Sequence, residues 1–259
     1  MQRQNIDSGN AFDWGKTSQD YGKFRDIYPP LFYQKIVERN CGTAGQEVLD
    51  IGTGTGVLPR NMYRFGAHWT GIDIAPNQIA EAKRLSAGME ISYLVSPAEK
   101  LDFAGKQFDC ITACQCYWYF DNQKAAPVFA RLLKPHGKLL LLCMEWLPYS
   151  DKIAEASEKL VLQYNPKWSG AGETKHPISV APELLEYFDL FYHEEYELDV
   201  PFTRTSWNGR MKACRGIGAS LSPEEIAAWE KEHLQLLERI APETFLVRHY
   251  AAIAELRKK

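Results

Sequence analysis

The pattern of hydrophobic positions changes near residue 145 of the chain. Before that point, short runs that are apolar throughout alternate with stretches of helical spacing. Strands that are apolar on both faces are typical of a parallel sheet covered by helices on each side. The strand candidates are Glu47–Ile51, His68–Ile72, Ile91–Val95, Phe108–Ala113 and Lys138–Met144, and the helix candidates are Leu31–Asn40, Val57–Phe65, Pro76–Ala87 and Ala125–Leu133.

Helical spacing dominates the part of the chain beyond Glu145. Together the two parts predict an α/β fold, a doubly wound and mostly parallel seven-stranded sheet with a helical cap subdomain. The helices predicted in this second part are Asp151–Gln163, Pro182–Phe188, Trp207–Cys214 and Pro223–Ile240, and the remaining strands are Tyr192–Val200 and one within Thr244–Leu256.

A glycine-rich turn directly follows the first apolar strand, in the order Asp50-Ile51-Gly52-Thr53-Gly54-Thr55-Gly56. Glycine permits backbone angles that other residues avoid, and it lets a ligand approach the main chain. A dinucleotide-binding loop of the G-x-G-x-x-G type would place its third glycine at position 57. That position is Val57, and the third glycine is Gly56. We therefore expect main-chain amides of this loop to face a ligand other than a dinucleotide.

Two carboxylates accompany the glycine turn. Asp73 ends the next strand, about 20 residues further on, which is the separation at which an acid accepts from ribose hydroxyls. Asp50 precedes the glycines and can face an ammonium group of the same ligand. Either acid alone could be an ordinary strand-end residue, but the ordered set indicates a nucleoside site.

These features resemble the class I S-adenosylmethionine-dependent methyltransferases of the type 11 and trans-aconitate-methyltransferase-like group. The resemblance runs over residues 12 to 145 and includes Ser96–Phe103, Phe108–Ile111 and Arg131–Gly137. It implies a Rossmann-like core, S-adenosyl-L-methionine as cofactor and S-adenosyl-L-homocysteine as product. The divisions that follow are 1–30 for an N-terminal lid segment, 31–145 for the cofactor-binding core, 146–243 for a cap with a late strand, and 244–259 for the last core strand.

The resemblance also assigns residues to the cofactor. Family members often place an acid that binds adenine where this chain has Pro97. Adenine is therefore expected to be bound by the next two residues, Ala98 and Glu99. Gln115 would bind the methionine end, Trp118 would pack near the sulfonium, and Tyr21 would close over the site. The full set of expected cofactor-binding residues is Asp50, Gly52, Thr53, Gly54, Gly56, Asp73, Ile74, Ala98, Glu99, Gln115, Tyr21 and Trp118.

The substrate site is expected in the lid and cap, where aromatic and cationic side chains would suit a carboxylate or a planar polar molecule. The candidates are Arg25, Tyr117, Trp168, Trp207 and Arg210. No catalytic residue is assigned, since an in-line transfer from a sulfonium needs orientation above all. Glu145, His176 and His249 are the candidates for a general base if the acceptor requires one.

Composition narrows the partners. The 259 residues carry a net charge of -3, whereas duplex-binding proteins usually have a basic excess. The six cysteines show no zinc spacing, so no metal is expected. No apolar stretch has the length of a signal peptide or a membrane span. We expect a cytoplasmic protein with a small-molecule substrate and without nucleic-acid or membrane partners, while the oligomeric state stays open.

Two other function classes remain at this point. A protein that binds S-adenosylmethionine without turnover would carry the same motifs. An NAD(P)-dependent oxidoreductase would require the glycine absent from position 57 and a hydride-site pair that the sequence lacks.

Overall fold

The computed structural model describes residues 6–259. In that part of the chain the helices are α1 (Ser18–Phe24), α2 (Pro30–Glu38), α3 (Val57–Met62), α4 (Pro76–Leu85), α5 (Asn122–Leu132), α6 (Lys152–Tyr164), α7 (Pro182–Leu185), α8 (Arg204–Lys212) and α9 (Pro223–Ile240). The strands are β1 (Glu47–Ile51), β2 (His68–Asp73), β3 (Ile91–Val95), β4 (Phe108–Cys114), β5 (Leu133–Trp146), β6 (Phe188–Thr203) and β7 (Thr244–Lys258).

Among the described residues, seven strands form one sheet in the order β3-β2-β1-β4-β5-β7-β6. The first five strands pair in parallel. The Leu147 amide, just after β5, donates to the Arg248 carbonyl near the start of β7, and Lys258 at the end of β7 reaches the Leu133 carbonyl at the start of β5. β7 therefore runs antiparallel to β5. The predicted α/β, mostly parallel sheet is confirmed.

The central strands are buried because helices cover both faces of the sheet. β1 and β4 are almost fully buried along their length, as strands with continuous apolar sequence should be. Strand order reverses beside β1, which lies between β2 and β4. In open α/β sheets this reversal opens a crevice at the carboxyl ends of the strands, where ligands bind.

Residues 134–137, which precede the predicted strand Lys138–Met144, lie inside β5. Pairing between β4 and β5 jumps from Phe108↔Leu133 to Cys110↔Lys138, so the residues between form a bulge. His136 adopts a φ of 65°, in the left-handed region. The strand therefore starts at Leu133, five residues earlier than the sequence pattern predicts.

The described chain divides into two compact units. One comprises the residues up to Ile27 together with Glu145–Lys175 and Glu197–Tyr250. The other comprises Tyr28–Met144, His176–Tyr196 and Ala251–Lys259. We refer to them as the cap unit and the core unit. The first five residues of the expected lid segment lie outside the described range.

Neither a membrane-spanning helix nor a metal cluster is found in residues 6–259. No helix there combines the length and apolarity needed to cross a bilayer. No group of three or more His, Cys, Asp or Glu side chains among these residues could hold a metal ion.

α9 owes its sharp start to a capping box. The Ser222 side chain accepts from the Glu225 amide (3.3 Å), and the Glu225 carboxylate accepts from the Ser222 amide (2.9 Å). Pro223 occupies the first helical position, where its missing N–H has no cost. These residues explain why the predicted bounds of this helix are the observed ones.

We expect Ser222→Ala to lower the free energy of unfolding by about 1 kcal/mol, because it leaves an amide of the first helical turn without its acceptor. Urea denaturation followed by far-UV circular dichroism measures the change. Ser179→Ala, in an exposed loop, is the matched control. Equal unfolding midpoints for the two variants would show that the cap does not stabilise α9.

Candidate functional site

The turn between β1 and α3 depends on glycine backbone angles. Gly52, Gly54 and Gly56 have φ values of 66°, 56° and 74°. Side chains with a Cβ rarely adopt these angles. The last of these glycines directly precedes α3, so the chain passes from a buried strand into a helix within a few residues.

The amides of Thr53, Gly54 and Gly56 are bound inside the protein, so these three are not the free donors that the glycine pattern predicts. The Gly54 amide donates to Asp73 Oδ2 (2.9 Å), and the Gly56 amide donates to the Thr53 carbonyl (2.9 Å). The Thr53 amide donates to the Ile72 carbonyl (2.8 Å). The glycines therefore shape the turn and leave its surface free of side chains, rather than supplying free donors at Gly54 and Gly56.

Close packing explains why two of these positions exclude a side chain. A Cβ on Gly56 would collide with the hydroxyl of Tyr93, and a Cβ on Gly52 would lie 2.7 Å from the Cβ and Sγ of Cys116. Tyr93 is held in place by Ser86, whose hydroxyl lies 2.8 Å from the phenol oxygen. The turn thus rests on β3 at one end and on the segment after β4 at the other.

Asp73 lies at the end of β2 and is partly exposed. Its Oδ1 accepts from the Ala75 amide (2.8 Å), while Oδ2 accepts from Gly54. Burial raises the pKa of this carboxyl, and the amides of Ala75, Gly54 and Ile74 oppose that effect. Each carboxylate oxygen has a second lone pair, so Asp73 can still accept from hydroxyl groups of a ligand.

Asp50 is a buried carboxyl near the end of β1. Its Oδ1 accepts from the Thr112 hydroxyl (2.7 Å) on β4. Burial raises the pKa of Asp50 to about 7, and the negative charge of Asp73 adds to the rise. A positively charged group beside Asp50 would reverse this shift by favouring the carboxylate.

Gln115 follows β4 in a strained conformation. Its φ is 61°, unusual for a residue with a side chain, and its amide donates to the Leu142 carbonyl (2.9 Å). The side-chain nitrogen donates to the Met144 carbonyl. This leaves Gln115 Oε1 buried without a hydrogen-bond partner among the described residues. An unpaired buried acceptor of this kind calls for a donor on a ligand.

The expected adenine-binding residues follow β3. Ala98 is buried at the start of a short 3-10 helix. Glu99 Oε1 accepts from the Asp121 amide (2.9 Å), which joins this helix to the start of α5. Ile74, beside Asp73, is 52% exposed. Its apolar side chain at a strand end is available to cover a flat ring.

The aromatic segment after β4 divides into buried and exposed side chains. Tyr117 is buried, and its hydroxyl accepts from the Ala181 amide (2.5 Å). Trp118 is 42% exposed. Tyr117 therefore has a packing partner, whereas Trp118 presents an aromatic face.

The remaining expected residues lie in the cap unit. Directly after α1, Arg25 Nη2 donates to the hydroxyl of Tyr21 on that helix (3.2 Å), and the guanidinium lies 4.7 Å from the ring centroid of Tyr21. Trp207 is fully buried and donates through Nε1 to Ser157 (2.9 Å). Trp168 is buried against Gly170 and Gly216. Both tryptophans are packed as core residues.

Among the candidate bases, Glu145 and His249 also lie in the cap unit. Burial raises the pKa of Glu145, against the positive charges of Arg210 and Arg25. Burial lowers the pKa of His249 to about 3, so this histidine is neutral at pH 7. His176, in the core unit, is exposed.

Sequence reasoning missed three residues that build the site: Tyr93, Ser86 and Thr112. Tyr93 supports Gly56, Ser86 holds Tyr93, and Thr112 holds Asp50. A tyrosine in a strand and a threonine in an apolar run have no motif of their own. For Thr112 alone the sequence held a signal, because its hydroxyl interrupts the apolar run of β4.

The chain is similar in sequence to known methyltransferases. A methyltransferase-domain family model matches residues 49–141. The ubiquinone biosynthesis O-methyltransferase of Salmonella paratyphi A is 32% identical over 176 residues, which are 65% of this chain and 71% of that enzyme. The chain belongs to the class I S-adenosylmethionine-dependent methyltransferases. The Salmonella enteritidis enzyme of the same name matches this methyltransferase with the same identity and coverage.

Solved structures confirm the fold of the methyltransferase. YjhP from E. coli superposes with a TM-score of 0.53 at 18% identity and covers 95% of this chain and 99% of its own. YcgJ from Bacillus subtilis superposes with a TM-score of 0.52 at 18% identity, covering 88% of this chain and 98% of its own.

We expect Gly56→Ala to weaken the binding of S-adenosylhomocysteine at least tenfold, because the new Cβ displaces Tyr93 or the turn. Gly88→Ala is the matched control. Gly88 has a similar left-handed φ of 86° but no atom within 4 Å of its added Cβ, so it introduces backbone strain without the collision. Isothermal calorimetry measures both. Equal losses in the two variants would contradict the role of Tyr93.

The affinity for S-adenosylhomocysteine should depend on pH through Asp50. Its pKa of about 7 means that the carboxyl becomes protonated as the pH falls below 7 and loses its attraction for the ligand's ammonium group. The affinity should then fall by up to about tenfold per pH unit. Calorimetry between pH 5.5 and pH 8 should show this slope in the wild type and not in Asp50→Asn. Parallel profiles would assign the proton to another group.

Proposed function

We propose that this methyltransferase moves the methyl group of S-adenosylmethionine to a small-molecule acceptor that carries a carboxylate or a hydroxyl. The observation that carries the proposal is the hydrogen bond from Gly54 to Asp73. It joins the glycine-rich turn to a carboxylate with spare lone pairs at the carboxyl ends of adjacent parallel strands, which suits an adenosyl group.

The residues of the core unit fit the cofactor's parts. Asp73 would accept from the ribose hydroxyls. Asp50 and the unpaired Gln115 Oε1 would face the ammonium group of the methionine end. Ile74 and Ala98 would flank adenine. The proposed cofactor-binding set of the core unit is Asp50, Gly52, Thr53, Gly54, Gly56, Asp73, Ile74, Ala98, Glu99, Gln115 and Trp118. Tyr21, which belongs to the cap unit, stays a prediction of the family resemblance.

The chemistry asks little of the protein beyond placement. When bound, S-adenosylmethionine supplies a methyl group already activated by its sulfonium. The chain must hold the acceptor in line with that group and exclude water, and orientation of this kind contributes up to ~7–11 kcal/mol in model reactions. The exposed face of Trp118 is suited to a cation, since aromatic faces attract positive charge.

A small acceptor is supported by the activity for which the relatives are named, since they are O-methyltransferases of ubiquinone biosynthesis. The net charge of -3 also disfavours a polyanionic substrate. Of the acceptor residues expected from the sequence, Arg25 and Arg210 are proposed to contact the acceptor. Tyr117, Trp168 and Trp207 are buried, so we propose for them only a supporting role through packing.

Transfer of a labelled methyl group tests the proposal. A panel of small hydroxylated and carboxylated metabolites should contain an acceptor that gains label and releases S-adenosylhomocysteine. Thermal shift should show stabilisation by S-adenosylhomocysteine and none by NAD. Binding of NAD in place of S-adenosylhomocysteine would overturn the proposal.

Asp73→Ala should weaken S-adenosylhomocysteine at least tenfold in calorimetry, since it removes the acceptor for the ribose and releases the Gly54 amide. Asp189→Ala, an exposed aspartate of β6 in the same unit, is the control and should bind normally. Unchanged affinity in Asp73→Ala would remove this carboxylate from the site.

A further inference from the structure

Arg210, on α8, is a buried cation whose hydrogen bonds are incomplete. The side chain is 1% exposed. Its Nε and Nη1 have no hydrogen-bond partner among the described residues. Buried charges in proteins are ordinarily paired or hydrogen-bonded, because an uncompensated charge away from water is strongly destabilising. Two unpaired N–H-bearing nitrogens therefore indicate a site built for an anion from outside.

The surroundings hold this guanidinium in place without neutralising it. It lies 4.6 Å from the ring centroid of Trp146, a contact that favours a cation. Burial lowers the pKa of Arg210 to about 10, and the like charge of Arg25 acts in the same direction. Arg210 is still protonated at neutral pH. Glu145 opposes the shift through space but accepts no hydrogen bond from Nε or Nη1.

His249 supplies a second incomplete group in the same unit. It is fully buried, and its Nδ1 lies 2.9 Å from the Val247 carbonyl. A carbonyl only accepts, so Nδ1 carries the proton and Nε2 is an acceptor. Nε2 has no partner among the described residues. The charge of Arg210 acts on this imidazole, which places the two groups within electrostatic reach of each other.

Aromatic rings connect the two groups. Trp146, under Arg210, packs edge to face on Trp207 with ring centroids 5.6 Å apart. Trp207 packs in the same way on His249 at 6.4 Å. Rings locked by packing hold polar groups at fixed positions, which is the arrangement that ligand sites use. Glu145, beside Trp146 in β5, is partly exposed.

We propose that Arg210 binds the carboxylate of the methyl acceptor and that His249 Nε2 accepts from a hydroxyl of the same molecule, so that the acceptor is a small hydroxy acid. The donors of Arg210 require an anion, and the acceptor on His249 requires a donor. A hydroxy acid satisfies both, whereas a neutral amine or alcohol leaves the arginine unpaired. Calling this ligand the methyl acceptor rests on the proposed function, whereas the presence of an anion site at Arg210 does not.

Binding of matched acids and amides tests the first half. The probes are salicylate, 4-hydroxybenzoate and lactate, each paired with its amide, and thermal shift and calorimetry of the full chain are the readouts. We expect at least one acid to bind at least tenfold more tightly than its amide. Failure of all three acids, or equal binding of acid and amide, would overturn the proposal.

Variants at position 210 test whether Arg210 is the group that binds the acid. Arg210→Met should abolish the preference for the acid, and Arg210→Lys should reduce it at least tenfold if the methionine variant does not fold. Arg239→Met removes the same charge from an exposed position of α9 and should keep the preference. Retention of the preference in folded Arg210 variants would place the anion elsewhere and overturn the assignment.

His249→Phe tests the second half. In the wild type, salicylate should bind more tightly than benzoate, and this difference should vanish in His249→Phe while binding of benzoate persists. An unchanged difference would remove His249 from the site.

S-adenosylhomocysteine binding, measured in parallel, separates the two proposals. If S-adenosylhomocysteine binds and no acid does, the hydroxy-acid site fails and the proposed function stands. If acids bind and S-adenosylhomocysteine does not, the site stands and the proposed function fails.

Discussion

The carboxylate of Asp73 is the contact on which the core site depends. It accepts from the amide of Gly54 and from that of Ala75, and so joins the turn after β1 to the end of β2. Three left-handed glycines within five residues make this turn costly to order, because glycine loses more conformational freedom on folding than any other residue. The carboxylate thus helps to order a turn in which every second residue lacks a side chain.

Order in this turn has a consequence for what it can bind. The amides that hold the turn together are unavailable to a ligand at Gly54 and Gly56. Recognition therefore shifts to side-chain groups around the turn, namely the spare lone pairs of Asp73, the buried carboxyl of Asp50 and the unpaired oxygen of Gln115. Acceptors outnumber donors in this set, which suits a ligand with hydroxyl and ammonium groups better than one with phosphates.

The cap unit shows the opposite balance at Arg210. Here a buried cation has donors without acceptors, and Glu145, whose charge favours the charged arginine, leaves two of its nitrogens unpaired. Incomplete pairing of buried groups lowers stability and is retained where a ligand completes it. The unpaired acceptors of the core unit therefore require a ligand rich in donors, and the unpaired donors of Arg210 in the cap unit require an anion.

The sequence by itself determined the fold class and the glycine turn, because both are written in local patterns. Apolar strands between amphipathic helices predict the parallel sheet, and a capping box determines that α9 begins at Pro223. The sequence pattern did not predict the β5 bulge around His136, since a run of Pro, His and Gly ordinarily ends a helix or strand. Only the tertiary structure decided that Tyr93 supports Gly56, that Gln115 and Arg210 have unpaired atoms, and that Trp207 is core. Packing and hydrogen-bond satisfaction depend on residues far apart in the chain, and no local pattern records them.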